Sequence, residues 1–153
     1  MKIASKTAIY VARVALAACL IVPASQSMAK EQTYFCKFKP NRVTGWIPEQ
    51  AGYLIDIENE TAMVSDQFTH YAHKGAVKAN YKRASEKRVE LKYTIKNLPA
   101  RSQTGETTKL SITYLVSLNI ATGKAKMRAT MHHPTGYDGN AGSGSCEIVK
   151  NKR

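Results

Sequence analysis

Four histidines are the residues of this sequence whose type and spacing come closest to a metal site. They form two close pairs, His70 with His73 and His132 with His133. Imidazole nitrogens bind zinc and copper, so two pairs that met in the fold would supply four ligands. Adjacent strand residues point to opposite faces, however, so His132 and His133 reach one ion only if Pro134 bends the chain. We therefore expect surface histidines, with no metal and no cofactor, and keep a histidine metal site as the alternative.

The N-terminus decides how many cysteines remain in the folded protein. Lys2 and Lys6 precede an apolar run from Ala8 to Val22, and small residues lead to Ala29. This order is typical of a secretory signal peptide cleaved after Ala29. The run is shorter than the roughly 20 apolar residues of a membrane-spanning helix. We expect one domain at residues 30–153, periplasmic or secreted, with no transmembrane helix after processing.

A lipoprotein site at Cys19 is the competing interpretation of the same segment. The residues Leu16 to Ala18 spell the small-residue pattern that precedes a lipid-modified cysteine. The apolar run continues beyond Cys19, whereas a lipidated terminus is normally followed by a polar tether. The sequence therefore favours a cleaved signal peptide, with anchoring at Cys19 as the alternative.

Removal of the signal peptide leaves two cysteines, Cys36 and Cys146. Two cysteines in an exported chain predict one disulfide. The bridge would close a loop of about 110 residues, which by chain entropy alone contributes roughly 4 to 5 kcal/mol. It would also leave no thiol to pair with a histidine. Because the sequence has no Gly-x-Ser-x-Gly motif either, we expect no enzyme.

Basic residues concentrate in the middle of the chain, with only Glu86 and Glu90 among them. The candidate anion-binding residues are Lys78, Lys82, Arg83, Lys87, Arg88 and Lys92. The signal peptide contains three basic residues and no acidic one, so its removal lowers the net charge from +12 to +9. Such a cluster attracts anions, here an anionic lipid, lipopolysaccharide or an acidic protein, and nucleic acid is not expected outside the cell. The alternative is a solvated face that keeps the protein soluble.

Trp46 and the glycine-rich segment 134–145, which contains Tyr137, are candidates for the mouth of a ligand site. We expect this segment to be a long loop, since loops of this length often line binding sites. It lacks the Gly-Lys-Ser/Thr ending of a phosphate loop. The alternatives are a plain mobile connection and a tryptophan that plugs the end of a barrel.

Apolar and polar residues alternate with period two along most of the chain, which predicts half-buried strands. The candidate strands are 33–39, 52–58, 61–68, 77–83, 88–96, 108–119, 124–132 and 145–150. The strands 108–119 and 124–132 should form a hairpin. No segment reads clearly as a helix, although part of 70–87 has the composition of a short one.

Many short antiparallel strands with one apolar face each must close or pair to bury that face. We therefore expect an all-β protein, a small antiparallel barrel or flattened sandwich of about eight strands. Cys36 and Cys146 fall on the inward register of the first and last strands, which favours a closed barrel. The layout resembles that of lipocalin-like carriers and bacterial lysozyme inhibitors in architecture alone. It departs from lipocalins because Gly45 and Trp46 are adjacent.

Three classes of function follow from these features. The leading hypothesis is a non-enzymatic exported binding or interaction domain that engages anionic envelope components through its basic face. The alternative is a barrel that carries a small apolar ligand, which requires an interior cavity. A metal-binding protein or metal-dependent enzyme would require the four histidines to cluster.

Overall fold

The structure is a computed structural model that describes residues 31–42, 45–101, 105–133 and 136–150. Of residues 133 and 136–138 only the backbone is described. The predicted signal peptide with Cys19 lies outside these ranges, as does Pro134. Within them, no helix has the length and apolar character needed to cross a bilayer.

Eight strands and one short helix make up the described chain. The strands are β1 (Glu31–Pro40), β2 (Gln50–Asp56), β3 (Thr61–Asp66), β4 (Val77–Ser85), β5 (Arg88–Arg101), β6 (Thr107–Asn119), β7 (Lys124–His133) and β8 (Gly136–Ile148). The helix α1 (Gln67–His73) connects β3 to β4. Each strand pairs antiparallel with the next, and β8 pairs back with β1, so the sheet closes into a barrel. The predicted all-β class is confirmed. Because the sheet closes on itself, the fold is a barrel and not a sandwich.

The predicted alternation determines which side chains enter the barrel. On β5 the residues Val89, Leu91, Tyr93 and Ile95 are buried, and the residues between them face outward. The same pattern continues on β6 and β7, which form the expected hairpin. Four inward tyrosines are part of the core. They are Tyr34, Tyr53, Tyr93 and Tyr114, all buried.

The predicted disulfide joins the two strands that close the barrel. Cys36 on β1 and Cys146 on β8 are directly opposite in the register, with their Cα atoms 3.9 Å apart. Both are buried. The bond therefore links the first and last strands of the sheet, as the inward register of the two cysteines predicts.

The expectation of a long loop before residue 145 is wrong, because β8 already begins at Gly136. Glycine is needed here for close packing. A Cβ on Gly144 would collide with the carbonyl oxygen of Lys37 and the Phe38 ring, and one on Gly142 would crowd Ile47. The small residues of β8 thus let it approach β1 closely enough to close the barrel.

Other strand boundaries also differ from the sequence prediction, and two of these differences have a clear local cause. The strand expected to run to residue 68 ends at Asp66, where α1 begins, because the Asp66 carboxylate accepts hydrogen bonds from the backbone N–H groups of Phe68 and Thr69. This is a helix N-cap, and the Thr69 hydroxyl completes a capping box by accepting from the Asp66 backbone. The strand expected to end at residue 96 continues to Arg101 through a bulge, at which Asn97 has a positive φ.

The barrel has two dissimilar ends. One end, which we call the helix end, contains α1 and the connection from β1 to β2 with Trp46. The other end contains the tight β2–β3, β4–β5 and β6–β7 turns. Aromatic side chains pack at the helix end, and the candidate sites lie partly there and partly on the outer wall.

Candidate functional site

The basic residues predicted to bind anions lie on and next to β4 and β5. Lys78 and Lys82 point outward from β4, and Arg88 and Lys92 point outward from β5. All of them are exposed, as are Arg83 and Lys87 near the β4–β5 turn. The Lys82 ammonium is 4.0 Å from the Glu90 carboxylate, so part of this face carries its own countercharge.

A second basic surface is concave, and the sequence analysis did not single it out. We call it the basic cleft. It is a depression of about 660 Å³ on the outer wall, with β8 as its floor between β1 and β7. On the far side of β7, Arg88 of β5 and Ser117 and Asn119 of β6 also line it. Five cationic side chains line it and no acidic one does. They are Lys37, Lys39, Arg88, Lys124 and Lys126. Arg88 is the one member of the predicted set that reaches it.

The strand register explains why the wall is concave here. Ser143 and Ser145 point outward from β8, and these short side chains form the floor. On either side the outward positions of β1 and β7 carry lysines, whose long side chains form the two walls. The short outward serines of β8, flanked by long lysine side chains, therefore create the depression, whereas Gly142 and Gly144 lie at the inward positions of the strand.

The cleft concentrates positive charge without internal compensation. None of its five cations forms an ion pair with any residue that the structure describes. The next outward residue of β8 is Glu147, which pairs with Phe35 beyond the lining of the cleft. Like charges gathered in a concave surface raise the local potential and attract anions. Serine hydroxyls on the floor add hydrogen-bond donors.

Trp46 lies at the helix end, where it belongs to a column of aromatic rings. Its ring centroid is 6.0 Å from that of Phe68, which in turn lies 6.2 Å from Tyr114. Tyr114 stacks on Tyr93 at 4.9 Å and donates a hydrogen bond of 3.0 Å to the Trp46 carbonyl. This packing fits the interpretation of Trp46 as a plug for the barrel.

The outer side of this plug lines an aromatic groove of about 600 Å³. Phe68 and Tyr71 from α1 and Leu98 and Pro99 from β5 complete its walls. Tyr71 is 61% exposed. Tyr137, the other predicted residue of a ligand mouth, lies on β8 opposite His132, and its side chain is not among those described.

The sequence analysis also missed the buried carboxylate of Asp66, which contacts an interior tyrosine. Asp66 is 4% exposed and accepts a 2.8 Å hydrogen bond from the Tyr93 hydroxyl. Burial raises the pKa of Asp66, against the hydrogen bonds that favour its charged form. The hydroxyl of Tyr53 is buried nearby, and burial raises its pKa well above the ordinary value, against a lowering contribution from the neighbouring Tyr93 hydroxyl.

The histidine pairs stay on separate elements. His70 and His73 lie on α1, where the His70 Nε2 atom is 2.8 Å from the Ser65 hydroxyl. His132 lies on β7 and is 3.2 Å from the Thr113 hydroxyl. Among the described residues, no group of three or more His, Cys, Asp or Glu side chains is arranged to hold a metal ion. The side chain of His133 lies outside the description.

Comparison of the chain with protein-family models, with curated proteins and with solved structures gives no match in any of the three.

Proposed function

We propose that this protein is an exported, non-enzymatic binding domain that holds phosphate groups of the bacterial envelope in the basic cleft. One observation carries the proposal: five cations and no acid line a concave surface of about 660 Å³. The phosphates of anionic lipids or of lipopolysaccharide are the anions that an exported basic domain meets. Ammonium and guanidinium groups are their usual partners in proteins.

The cleft is a better candidate than the β4–β5 face because of its shape and its lack of countercharge. On the β4–β5 face, Lys82 already has Glu90 within ion-pairing distance. In the cleft an anion would meet lysines from two walls together with serine hydroxyls from the floor. Convergent donors of this kind select an anion, whereas isolated surface lysines contribute mainly to solubility.

The carrier alternative receives less support from the interior. The stacked rings of Tyr93 and Tyr114 are buried in the interior, and Phe68 and Trp46 continue the column to the helix end. An apolar ligand inside the barrel would have to displace these rings. We therefore place binding on the outer wall.

Binding to vesicles tests the proposal. The oxidised protein is expected to co-sediment with phosphatidylglycerol vesicles but not with phosphatidylcholine vesicles, and less so as the salt concentration rises. The triple variant Lys37→Gln, Lys124→Gln, Lys126→Gln should lose about 100-fold in affinity, since each basic side chain near an anionic surface contributes about 1 kcal/mol. These lysines are exposed, so stability should be unchanged.

The control removes the same number of charges from the other basic surface. The variant Lys78→Gln, Lys82→Gln, Lys92→Gln has the same net charge as the cleft variant but leaves the cleft intact. It should lose clearly less affinity. Equal losses in the two variants would mean that binding follows net charge alone, and absence of binding to anionic vesicles would refute the proposal.

A further inference from the structure

The lysines of the basic cleft are arranged in two parallel rows that cross the barrel wall. Each row runs from β1 over a serine of β8 to β7, as the register of these strands dictates. The first row is Lys37, Ser145 and Lys124, and the second is Lys39, Ser143 and Lys126. Every row thus has a cation at each end and a hydroxyl between them.

The geometry of a sheet gives the spacing of these rows. Neighbouring strands are about 4.8 Å apart, so the two lysines of one row start about 10 Å apart and can converge on an anion above the central serine. Outward residues of one strand are separated by two residues, so the rows follow each other at about 7 Å. The cleft therefore offers two anion-binding positions, one after the other, along β8. We call these two rows, together with the outward positions that continue them along β8, the track.

The flanking outward positions make the two ends of this track different. Beyond Ser143, the next outward residue of β8 is Ala141, which pairs with Arg128 on β7. Beyond Ser145 comes Glu147, which pairs with Phe35. Positive charge continues past the second row and stops after the first, so a longer anion extends towards Arg128.

We infer that the basic cleft binds a linear phosphodiester polymer that lies along β8, with successive phosphates over the two rows and the next phosphate at Arg128. The distance between the two rows is similar to the distance between successive phosphates of an extended phosphodiester backbone. Phe35 lies beyond the first row, on the side away from Arg128, and Phe38 points into the barrel. A polymer that extends from the two rows towards Arg128 therefore meets no outward aromatic ring on which a nucleobase would stack. A polyol phosphate chain fits this track better than a nucleic acid does. This inference rests on the proposed function of the same cleft.

Base-free glycerol phosphate oligomers with two and three phosphates test the inference. Isothermal titration of the oxidised protein at low salt should give a higher affinity for the oligomer with three phosphates. The gain should be about fivefold, which is typical of one further basic side chain near an anion. Arg128→Gln should abolish most of this gain and leave the affinity for the shorter oligomer unchanged. Lys126→Gln should weaken binding of both oligomers.

Two comparisons exclude simpler explanations. Lys78→Gln removes one charge from β4, outside the track, and should leave the affinity ratio of the two oligomers as it is in the wild type. An oligothymidylate with three phosphates reports on nucleobases. If it bound more tightly than the glycerol phosphate oligomer, the assignment to a polyol phosphate would be overturned.

The outcomes separate this inference from the proposed function. Equal affinity for both oligomers, or an equal loss for both in Arg128→Gln, would refute the track while vesicle binding through the cleft could persist. Vesicle binding without binding of either oligomer would likewise refute the track and leave the proposed function standing. Loss of both activities in the wild-type protein would refute the proposed function as well.

Discussion

The Tyr93 hydroxyl donates a 2.8 Å hydrogen bond to the Asp66 carboxylate in the interior of the barrel. The other carboxylate oxygen accepts from the backbone N–H groups of Phe68 and Thr69, each at 2.8 Å. One buried carboxylate therefore connects β3, the start of α1 and β5. Burial raises the pKa of Asp66 above its ordinary value of 3.8, so the charged form is held at a cost.

The raised pKa of Asp66 should make the free energy of unfolding depend on pH. Between the ordinary and the raised pKa the folded state binds the Asp66 proton more readily than the unfolded state does, so this group lowers stability as the pH rises through that window. Asp66→Asn keeps an oxygen that can cap α1 but does not titrate. The free energy of unfolding of wild type minus that of Asp66→Asn should therefore decrease as the pH rises, measured by urea unfolding between about pH 3 and 7.

Asp56 serves as a control, because its pKa is lowered whereas that of Asp66 is raised. Hydrogen bonds, first from the Asn59 backbone and side chain and then from the Glu58 backbone, lower the pKa of Asp56. Its contribution is present above the ordinary value and is lost as the pH falls through the lowered pKa. The difference between wild type and Asp56→Asn should thus increase with pH. Slopes of the same sign for both variants would contradict the assignment.

The two neighbouring tyrosines should respond differently to loss of their hydroxyls. Tyr93→Phe removes a hydrogen bond from a buried carboxylate and should cost about 1 to 3 kcal/mol. Tyr53→Phe removes a buried hydroxyl that lies beside Tyr93 but does not bond the carboxylate, so it should cost less than Tyr93→Phe. Denaturant unfolding at neutral pH measures both. Similar losses in the two variants would argue against a special role for the Tyr93 contact.

The sequence was sufficient to predict an all-β protein of about eight strands because its strands alternate regularly. The shared inward register of its two cysteines favoured a barrel but left a sandwich as the alternative. Alternation depends on the period of the strand alone, so it predicts which β5 and β6 residues are buried. Alternation could not predict that the glycine-rich segment of β8 is a strand. Gly142 and Gly144 look like loop residues until the close approach of β1 is known.

The candidate site was harder to predict for a related reason. The cleft combines outward lysines from β1 and β7, which are distant in sequence and become neighbours only through β8. Runs of basic residues in the sequence therefore indicate the β4–β5 cluster instead. Asp66 was missed as an N-cap, although Asp followed by Thr three residues later resembles a capping box and was the available signal.

Loss of the disulfide should have a large effect on stability. Cys36 and Cys146 are separated by 110 positions, and cross-linking them removes a large loop entropy from the unfolded chain. The double variant Cys36→Ala, Cys146→Ala should lose roughly 4 to 5 kcal/mol on this basis. Reductant should destabilise the wild type and leave the double variant unaffected. An unchanged unfolding midpoint in both experiments would mean that the sheet closes equally well without the bond.

Closure of the barrel between β1 and β8 should also be sensitive to a single methyl group. A Cβ on Gly144 would meet the Lys37 carbonyl oxygen and lie 2.8 Å from the Phe38 ring, so backbone would have to move. Gly144→Ala is expected to cost about 1 to 3 kcal/mol, as overpacked sites do. Gly75→Ala is the control, because nothing lies within 4 Å of its Cβ position, and it should be neutral or stabilise by up to about 1 kcal/mol. Because β8 is also the floor of the basic cleft, Gly144→Ala should weaken vesicle binding, whereas Gly75→Ala should not. If both variants had wild-type stability, close packing would not be the reason for glycine in β8.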